Sequence, residues 1–360
     1  MKRVLIIAFV SLFAAMVSIS DSSACTGITL RSSDGTPVYA RTIEWGGSDL
    51  NSQYVVVPRG YLQQSYTPEG INGMKFKAVY GYVGFAVEQK EFIAEGLNEA
   101  GLSAGLFYFP SYGKYSDYDT LCIDKCIADL QLVPMILGSC KNIDEVIEKV
   151  RSVVVVSVDP RASTVHWRFA DTTGRQVVLE IIDGEVNFYE NRLGVLTNSP
   201  SFEWQMTNLN NYVNLYAGGA DAKEIGGVRL APFGAGSGML GLPGDVTPPS
   251  RFVRAAFYQA TAPVQDNAQD AVLQAFQILN NFDIPVGVEF KDRKVPADIP
   301  SATQWTSATD VKNRIIYYRT MYNSAIRAID LKKIDFGKVK YRAASLDETK
   351  RQPVIYVKIR

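Results

Sequence analysis

The sequence predicts an α+β protein in which β-sheets pack against helices in layers, and three patterns carry that expectation. A strand-like alternation at residues 26–31 turns back on itself as a hairpin, a β-rich and mostly antiparallel block fills residues 153–197, and helically spaced stretches with their own start and stop residues lie between and after them. Strands and helices come in runs in both halves of the chain, which is the pattern of sheets covered by helices. No internal repeat or low-complexity segment is present.

The chain opens on Lys2 and Arg3, continues apolar from Val4 to about Ile19, and closes this segment with Ser20-Asp21-Ser22-Ser23-Ala24. That is the three-part layout of a secretory signal peptide, with Ser22 and Ala24 as the small residues at −3 and −1. Cleavage between Ala24 and Cys25 is expected, giving a periplasmic or secreted protein with a removed leader, 1–24, and one domain over 25–360. Three other readings exist, the first being that Cys25 is an ordinary buried cysteine, and a non-catalytic or lipid-anchored binding protein is the alternative from another class. A cysteine directly after a signal peptide is also the lipidation site of a bacterial lipoprotein, although Ser22 stands where such a signal usually carries Leu. A cleavage site shifted by a residue or two would bury the amine of Cys25 in a peptide bond.

After the leader, residues 26–31 alternate, Ser33-Asp34-Gly35-Thr36 supplies a turn, and residues 38–43 run back. Strands are expected at 54–58, 75–80, 83–87 and 101–109. A helix is expected from Asp119 to about Val133, stopped by Pro134. Asn142 with Glu145 three residues on reads as a capping box opening a helix over 143–150. Strands follow at 153–158, 165–170, 176–182, 186–190 and 194–197, with Asp171-Thr172-Thr173-Gly174 as one turn. Then come a helix over 202–216, a Gly- and Pro-rich loop over 217–250 of the kind that lines sites in compact domains, helices over 251–260 and 267–281, and strands near 313–322 and 354–358.

Composition narrows the function. Lys plus Arg and Asp plus Glu both number 37, and the leader holds Lys2, Arg3 and Asp21, so its loss leaves a net charge of about −1. Neither nucleic acid nor an anionic membrane is expected as the main partner. With 47% hydrophobic residues and no second apolar run of spanning length, the mature chain is expected to be soluble, well packed and without a membrane span. Four cysteines in this length are no disulfide framework. Cys122 and Cys126 are four apart in a stretch read as helix, where Cβ atoms sit ~5–6 Å apart. A disulfide wants roughly 3.5–4.5 Å, so they are expected to stay core thiols. These cysteines with His166 lack metal-ligand spacing, and no metal or cofactor is expected.

The chemistry is expected at Cys25. As a mature N-terminus it would carry a thiol of pKa ~8.5 and an α-amine of roughly 7.7 to 8.0, so the amine can take the thiol's proton. No separate base is needed, and the chain holds a single histidine. A nucleophile at the start of a strand is held in position by the ladder.

Several strings, in order along nearly the whole mature chain, resemble the choloylglycine hydrolase family. They are Cys25-Thr26-Gly27-Ile28, Arg41-Thr42-Ile43-Glu44-Trp45, Gly96-Leu97-Asn98-Glu99-Ala100-Gly101-Leu102, His166-Trp167 with Ala170-Asp171 and Gly174, Thr197-Asn198-Ser199-Pro200, and Leu242-Pro243-Gly244-Asp245 with Ser250-Arg251-Phe252. That family includes conjugated bile acid hydrolases and penicillin V acylases and belongs to the N-terminal-nucleophile hydrolases. The resemblance implies a four-layer αββα sandwich and hydrolysis of a linear amide, a small-molecule N-acyl substrate, through a thioester acyl-enzyme. It also implies a homotetramer.

Carried over residue by residue, Cys25 matches the nucleophile, Arg41 the arginine beside it, and Arg251 the second active-site arginine. Glu44 stands where the family usually has an aspartate that contacts the nucleophile's amine. Asn198 and Tyr108 match the positions of the oxyanion hole, with the amide NH₂ of Asn198 as a fixed donor. His166 receives no catalytic role. Tyr108 is the penicillin V acylase choice, where bile acid hydrolases more often carry asparagine. The expectation is therefore an acylase for phenoxyacetyl or fatty-acyl amides, N-acyl homoserine lactones included, with conjugated bile acids as the alternative substrate.

Overall fold

The computed structural model describes residues 23–158, 163–291 and 294–359. The leader expected over 1–24 lies outside the described residues except for Ser23 and Ala24, which extend the first strand.

That strand, β1 (Ser23–Arg31), pairs antiparallel with β2 (Pro37–Trp45) around the expected turn, in a register that sets Cys25 opposite Ile43 and Gly27 opposite Arg41. Gly35 adopts φ +77°, which the turn needs and a side chain would resist. β1 is the edge of a five-stranded sheet that continues through β2, Thr303–Asp310, Ile315–Thr320 and Asn323–Asp330. A second sheet of eight strands runs in the order Glu185–Glu190, Gln176–Ile182, Val165–Ala170, Ser103–Tyr108, Ile93–Asn98, Tyr82–Ala86, Gln53–Val57 and Arg342–Ser345.

Helices Pro248–Thr261 and Ala268–Leu279 cover the first sheet, and helices Leu132–Ser139 and Ile143–Arg151 cover the second. Between the sheets Phe85 meets Trp305 and Tyr318 edge-on, with ring centroids 5.6 Å and 5.1 Å apart. Four layers in the order αββα result. Their close approach depends on Gly27, where an added Cβ would lie 3.0 Å from Arg168 Nη1 and 3.1 Å from the ring of Phe107.

Several expected elements come out differently, each for a local reason. Residues 119–133 are not one helix. Asp119 accepts from the N–H of Leu121 and closes a 3₁₀ turn over Thr120–Lys125, after which Cys126–Ala128 pairs parallel with Val154–Val156. Pro134 then sits in the first turn of helix Leu132–Ser139, where its missing N–H costs nothing, so it begins a helix instead of ending one. The helix-based spacing argument for Cys122 and Cys126 fails with it. Their sulfurs stand 3.9 Å apart, both free, and Cys122 is only half-buried.

Helix 202–216 is shorter, Phe202–Asn208 with a 3₁₀ turn after it, and residues 194–197 contribute a single bridge from Leu196 to Gly27. The Gly- and Pro-rich loop carries a small exposed hairpin, Lys223–Ile225 with Val228–Leu230. Residues 354–358 form no strand and lie exposed. Their alternation marks propensity, and a strand needs a neighbour to pair with. The capping box holds in part: Asn142 Oδ1 accepts from Glu145 N–H at 2.9 Å, while the Glu145 carboxylate reaches Lys141 N–H instead of Asn142 N–H.

Candidate active site

Strand alternation places Cys25, Arg41 and Ile43 on the face of the hairpin that looks into the gap between the sheets. Cys25 is 4% exposed, and Arg41 is fully buried. Arg41 Nη2 donates to Cys25 Sγ at 2.8 Å. Its other donors hold the guanidinium still: Nε goes to Thr42 O and Nη1 to Ala94 O and Leu106 O. The ring of Phe107 lies 4.0 Å below it.

Arg251 and Asn198 arrive from distant parts of the chain. Asp245 accepts from Thr247 N–H at 2.9 Å and from Ser250 Oγ at 2.6 Å, fixing the turn that starts helix Pro248–Thr261 and presents Arg251. Arg251 Nη1 donates to Cys25 O and Thr26 Oγ1, and Nη2 to Asn198 Oδ1 at 2.6 Å. Asn198 Oδ1 also accepts from Cys25 N at 2.8 Å. With Ala24 attached, that nitrogen is a peptide N–H and occupies the place that a free α-amine takes in a chain beginning at Cys25.

Two donors on Oδ1 fix the amide orientation of Asn198, and its Nδ2 donates to Tyr108 O at 2.7 Å, so one of its two amide protons is engaged. The backbone N–H of Tyr108 points at Cys25 Sγ. Tyr108 therefore reaches the sulfur through its main chain. His166 packs flat on Phe109, with Nε2 3.0 Å from Thr197 O and Nδ1 3.0 Å from Glu180, which pins the segment leading into Asn198.

Glu44 is buried but makes no hydrogen bond to Cys25 N, which Asn198 serves instead. Its Oε1 accepts weakly from Thr303 Oγ1 at 3.4 Å, and its Oε2 has no hydrogen-bond partner among the described residues. Burial pushes its carboxyl up to about 8, against the pull of Arg251. For Cys25, burial raises the thiol above its ordinary value, opposed first by Arg41 and then by the Tyr108 N–H and Arg251.

Two buried residues of this centre were not anticipated. Glu95 lies 3.6 Å from Arg41 and 3.5 Å from Arg168, all three essentially solvent-free. Two guanidinium charges against one carboxylate leave a positive charge unbalanced beside Sγ, and a thiolate is the group that balances it. The available signal was an ionisable residue at an inward position of each strand, Ile93–Asn98 and Val165–Ala170.

A surface hollow also lies elsewhere. It encloses about 570 Å³ between Arg31, Arg192 and Gln259, at the far end of β1, where Gln259 is occupied with Thr29 N–H and Leu193 O. Among the described residues, no helix is long and apolar enough to cross a membrane.

The chain is similar to known proteins along most of its length. Residues 25–349 match the model of the linear amide C–N hydrolases, choloylglycine hydrolase family. The chain is 31% identical over 313 residues to a bile salt hydrolase/transferase of Clostridium perfringens, covering 86% of this chain and 93% of the relative. It is 24% identical over 344 residues to a penicillin V acylase of Pectobacterium atrosepticum, covering 89% and 84%. The crystal structure of a mutant conjugated bile acid hydrolase from Clostridium perfringens superposes with a TM-score of 0.79 at 27% identity, over 93% of this chain and all of that one.

Proposed function

The chain belongs to the choloylglycine hydrolase family of linear amide C–N hydrolases, and on that premise we propose that Cys25, freed by removal of residues 1–24, is its N-terminal nucleophile. The observation that carries this reading is the 2.8 Å contact of Arg41 Nη2 with Sγ, together with Cys25 N held on Asn198. The α-amine takes the Sγ proton, and the thiolate attacks the amide carbonyl carbon. The oxyanion that forms is met by Tyr108 N–H and the second amide proton of Asn198. The protonated amine then delivers its proton to the leaving nitrogen, the C–N bond breaks, and a thioester remains on Cys25. Water, deprotonated by the same amine, attacks the thioester and releases a carboxylic acid and the thiol.

Arg41 stabilises the thiolate, and Arg251 holds Asn198 and the carbonyl of Cys25 in place. Glu44, close to both Cys25 and Arg251, influences the amine by its charge. Opening the site to water on loss of the leader removes much of the burial that raises the thiol and leaves the arginines acting on it. The protein is exported, acts as a single domain over 25–360, and assembles as a homotetramer. Tyr108 favours phenoxyacetyl and fatty-acyl amides, including N-acyl homoserine lactones. The name of the Clostridium relative favours conjugated bile acids as the second reading. Side-by-side rates on penicillin V, glycocholate and a long-chain acyl homoserine lactone separate the two.

The oxyanion assignment is tested by Asn198→Ala, expected to lower kcat by about 10²–10³. A variant that folds and keeps kcat within about tenfold of the parent contradicts the assignment.

A further inference from the structure

Cys122 and Cys126 take no part in the site described above. Their sulfurs lie 3.9 Å apart, in van der Waals contact, and both are free thiols. The chain between them is not helical throughout. Cys122 departs from helical geometry at φ −113° and ψ 22°, and Cys126 begins a strand. The turn Thr120–Lys125 therefore folds back and rests its sulfur on the one that follows.

The two cysteines are held very differently. Cys126 is buried and anchored on both sides: its strand Cys126–Ala128 pairs with Val154–Val156, its carbonyl accepts from Met74 N–H at 2.9 Å, and Ala128 N–H donates to Ser65 Oγ at 2.8 Å. Cys122 is half-buried, in a turn that buries no residue and leaves Leu121 93% exposed. Asp119 holds that turn, its carboxylate accepting from Leu121 N–H and its carbonyl from Cys122 N–H and Sγ–H. A segment with so few buried contacts opens locally while the strand beside it stays closed.

This asymmetry orders the chemistry. Exchange with a disulfide starts at a thiol that the reagent can reach and is completed by a second thiol already in contact with the first. Cys122 is the reachable one. Burial and the neighbouring thiol push Cys126 up to about 11, which suits it to resolve an exchange and not to start one.

We propose that Cys122 and Cys126 form an exchange site for small-molecule disulfides, and that its oxidised state fastens the Thr120–Lys125 turn to the strand Cys126–Ala128. Cys122 Sγ gives its proton to solvent, and the thiolate attacks one sulfur of the reagent. The S–S bond of the reagent breaks, one half leaves as a thiolate that takes up a proton, and a mixed disulfide remains on Cys122. Cys126 Sγ then loses its proton and attacks Cys122 Sγ, and the second half leaves in the same way. Two cysteine thiols are oxidised and one disulfide is reduced to two thiols. An excess of small thiol runs the exchange backwards.

The test equilibrates the purified, reduced protein with oxidised glutathione, quenches it in acid, alkylates it unfolded and maps peptic peptides without reduction. A Cys122–Cys126 link is expected, in a chain lighter by about 2 Da for the two hydrogens lost, with both cysteines alkylated again after treatment with dithiothreitol. Lys125 is exposed and lies inside the linked loop, so trypsin should cut there about tenfold or more slowly in the linked protein, because the turn must open before it is cleaved. Cys126→Ser should stop at a glutathione adduct on Cys122, and Cys122→Ser should leave Cys126 unmodified, with a far-ultraviolet spectrum like the parent's reporting an intact fold in each. The proposal is overturned if the parent stays fully alkylated across a glutathione series, stops as an adduct on Cys122, or links either cysteine to Cys25 or Cys140. A linked protein cut at Lys125 as fast as the reduced one, or a folded Cys122→Ser protein that takes glutathione at Cys126, overturns it equally.

Discussion

Cys25→Ala is expected to reduce hydrolysis of N-acyl amides by at least about 10³-fold, because it removes the atom that forms the thioester and leaves only binding and the oxyanion donors. The fold should survive. Cys25 contributes one sulfur to the gap between the sheets, and the ladder that positions β1 is made by the backbone. An unfolding temperature within about 4 °C of the parent is expected for so small a truncation. A folded Cys25→Ala protein that retains turnover within about tenfold of the parent contradicts the mechanism.

The largest effect on stability is expected at Glu95. Among the described residues, this carboxylate is the one acidic group paired with both Arg41 and Arg168, and all three are buried. Gly105 makes room for it, since a Cβ there would stand 2.2 Å from Glu95 Oε2. Burial pushes the Glu95 carboxyl up, with Arg168 and Arg41 opposing. Replacing Glu95 by alanine strands two guanidinium charges between the sheets, which costs about 3–5 kcal/mol. In a domain of this size that lowers the unfolding temperature by roughly 2–4 °C for each kcal/mol. Glu95→Gln, which keeps the shape and loses the charge, should lose most of the same stability. Thermal unfolding of both variants checks this, and parent-like stability in Glu95→Ala contradicts the charge balance described for the site.

The hairpin that presents Cys25 was legible because its physics is local. Alternation, a Ser-Asp-Gly-Thr turn and a single register determine where Arg41 stands relative to the thiol. Strands 165–170 and 176–182 were legible for the same reason. Thr303–Asp310 was not, although every residue of it is buried. Its Thr, Gln and Ser side chains are buried inside the first sheet beside the apolar ones, so hydrophobic periodicity does not mark it. Ile93–Asn98 hid similarly behind Glu95 and Gly96. The apolar run at 126–137 was misassigned because a buried strand and a buried helix look alike in one dimension, and only the pairing of Cys126–Ala128 with Val154–Val156 separates them.

At the site, residue chemistry pointed to Cys25 and the family resemblance to Arg41, Asn198 and Arg251, and the structure brings these four into one hydrogen-bonded group. What sequence could not give was orientation. Tyr108 turns its main chain, not its phenol, to the sulfur, and Cys25 N lies on Asn198 where Glu44 was expected. Both depend on how two strands from different sheets meet, which no local pattern encodes.

Intact-mass spectrometry of the purified protein, alone and quenched during turnover of an N-acyl amide, tests the central claim most directly. The account predicts a chain beginning at Cys25 with an unmodified amine and, in the quenched sample, one added acyl group mapping to the Cys25 sulfur. A chain that keeps residues before Cys25, carries lipid on it, or bears the acyl group elsewhere contradicts the account.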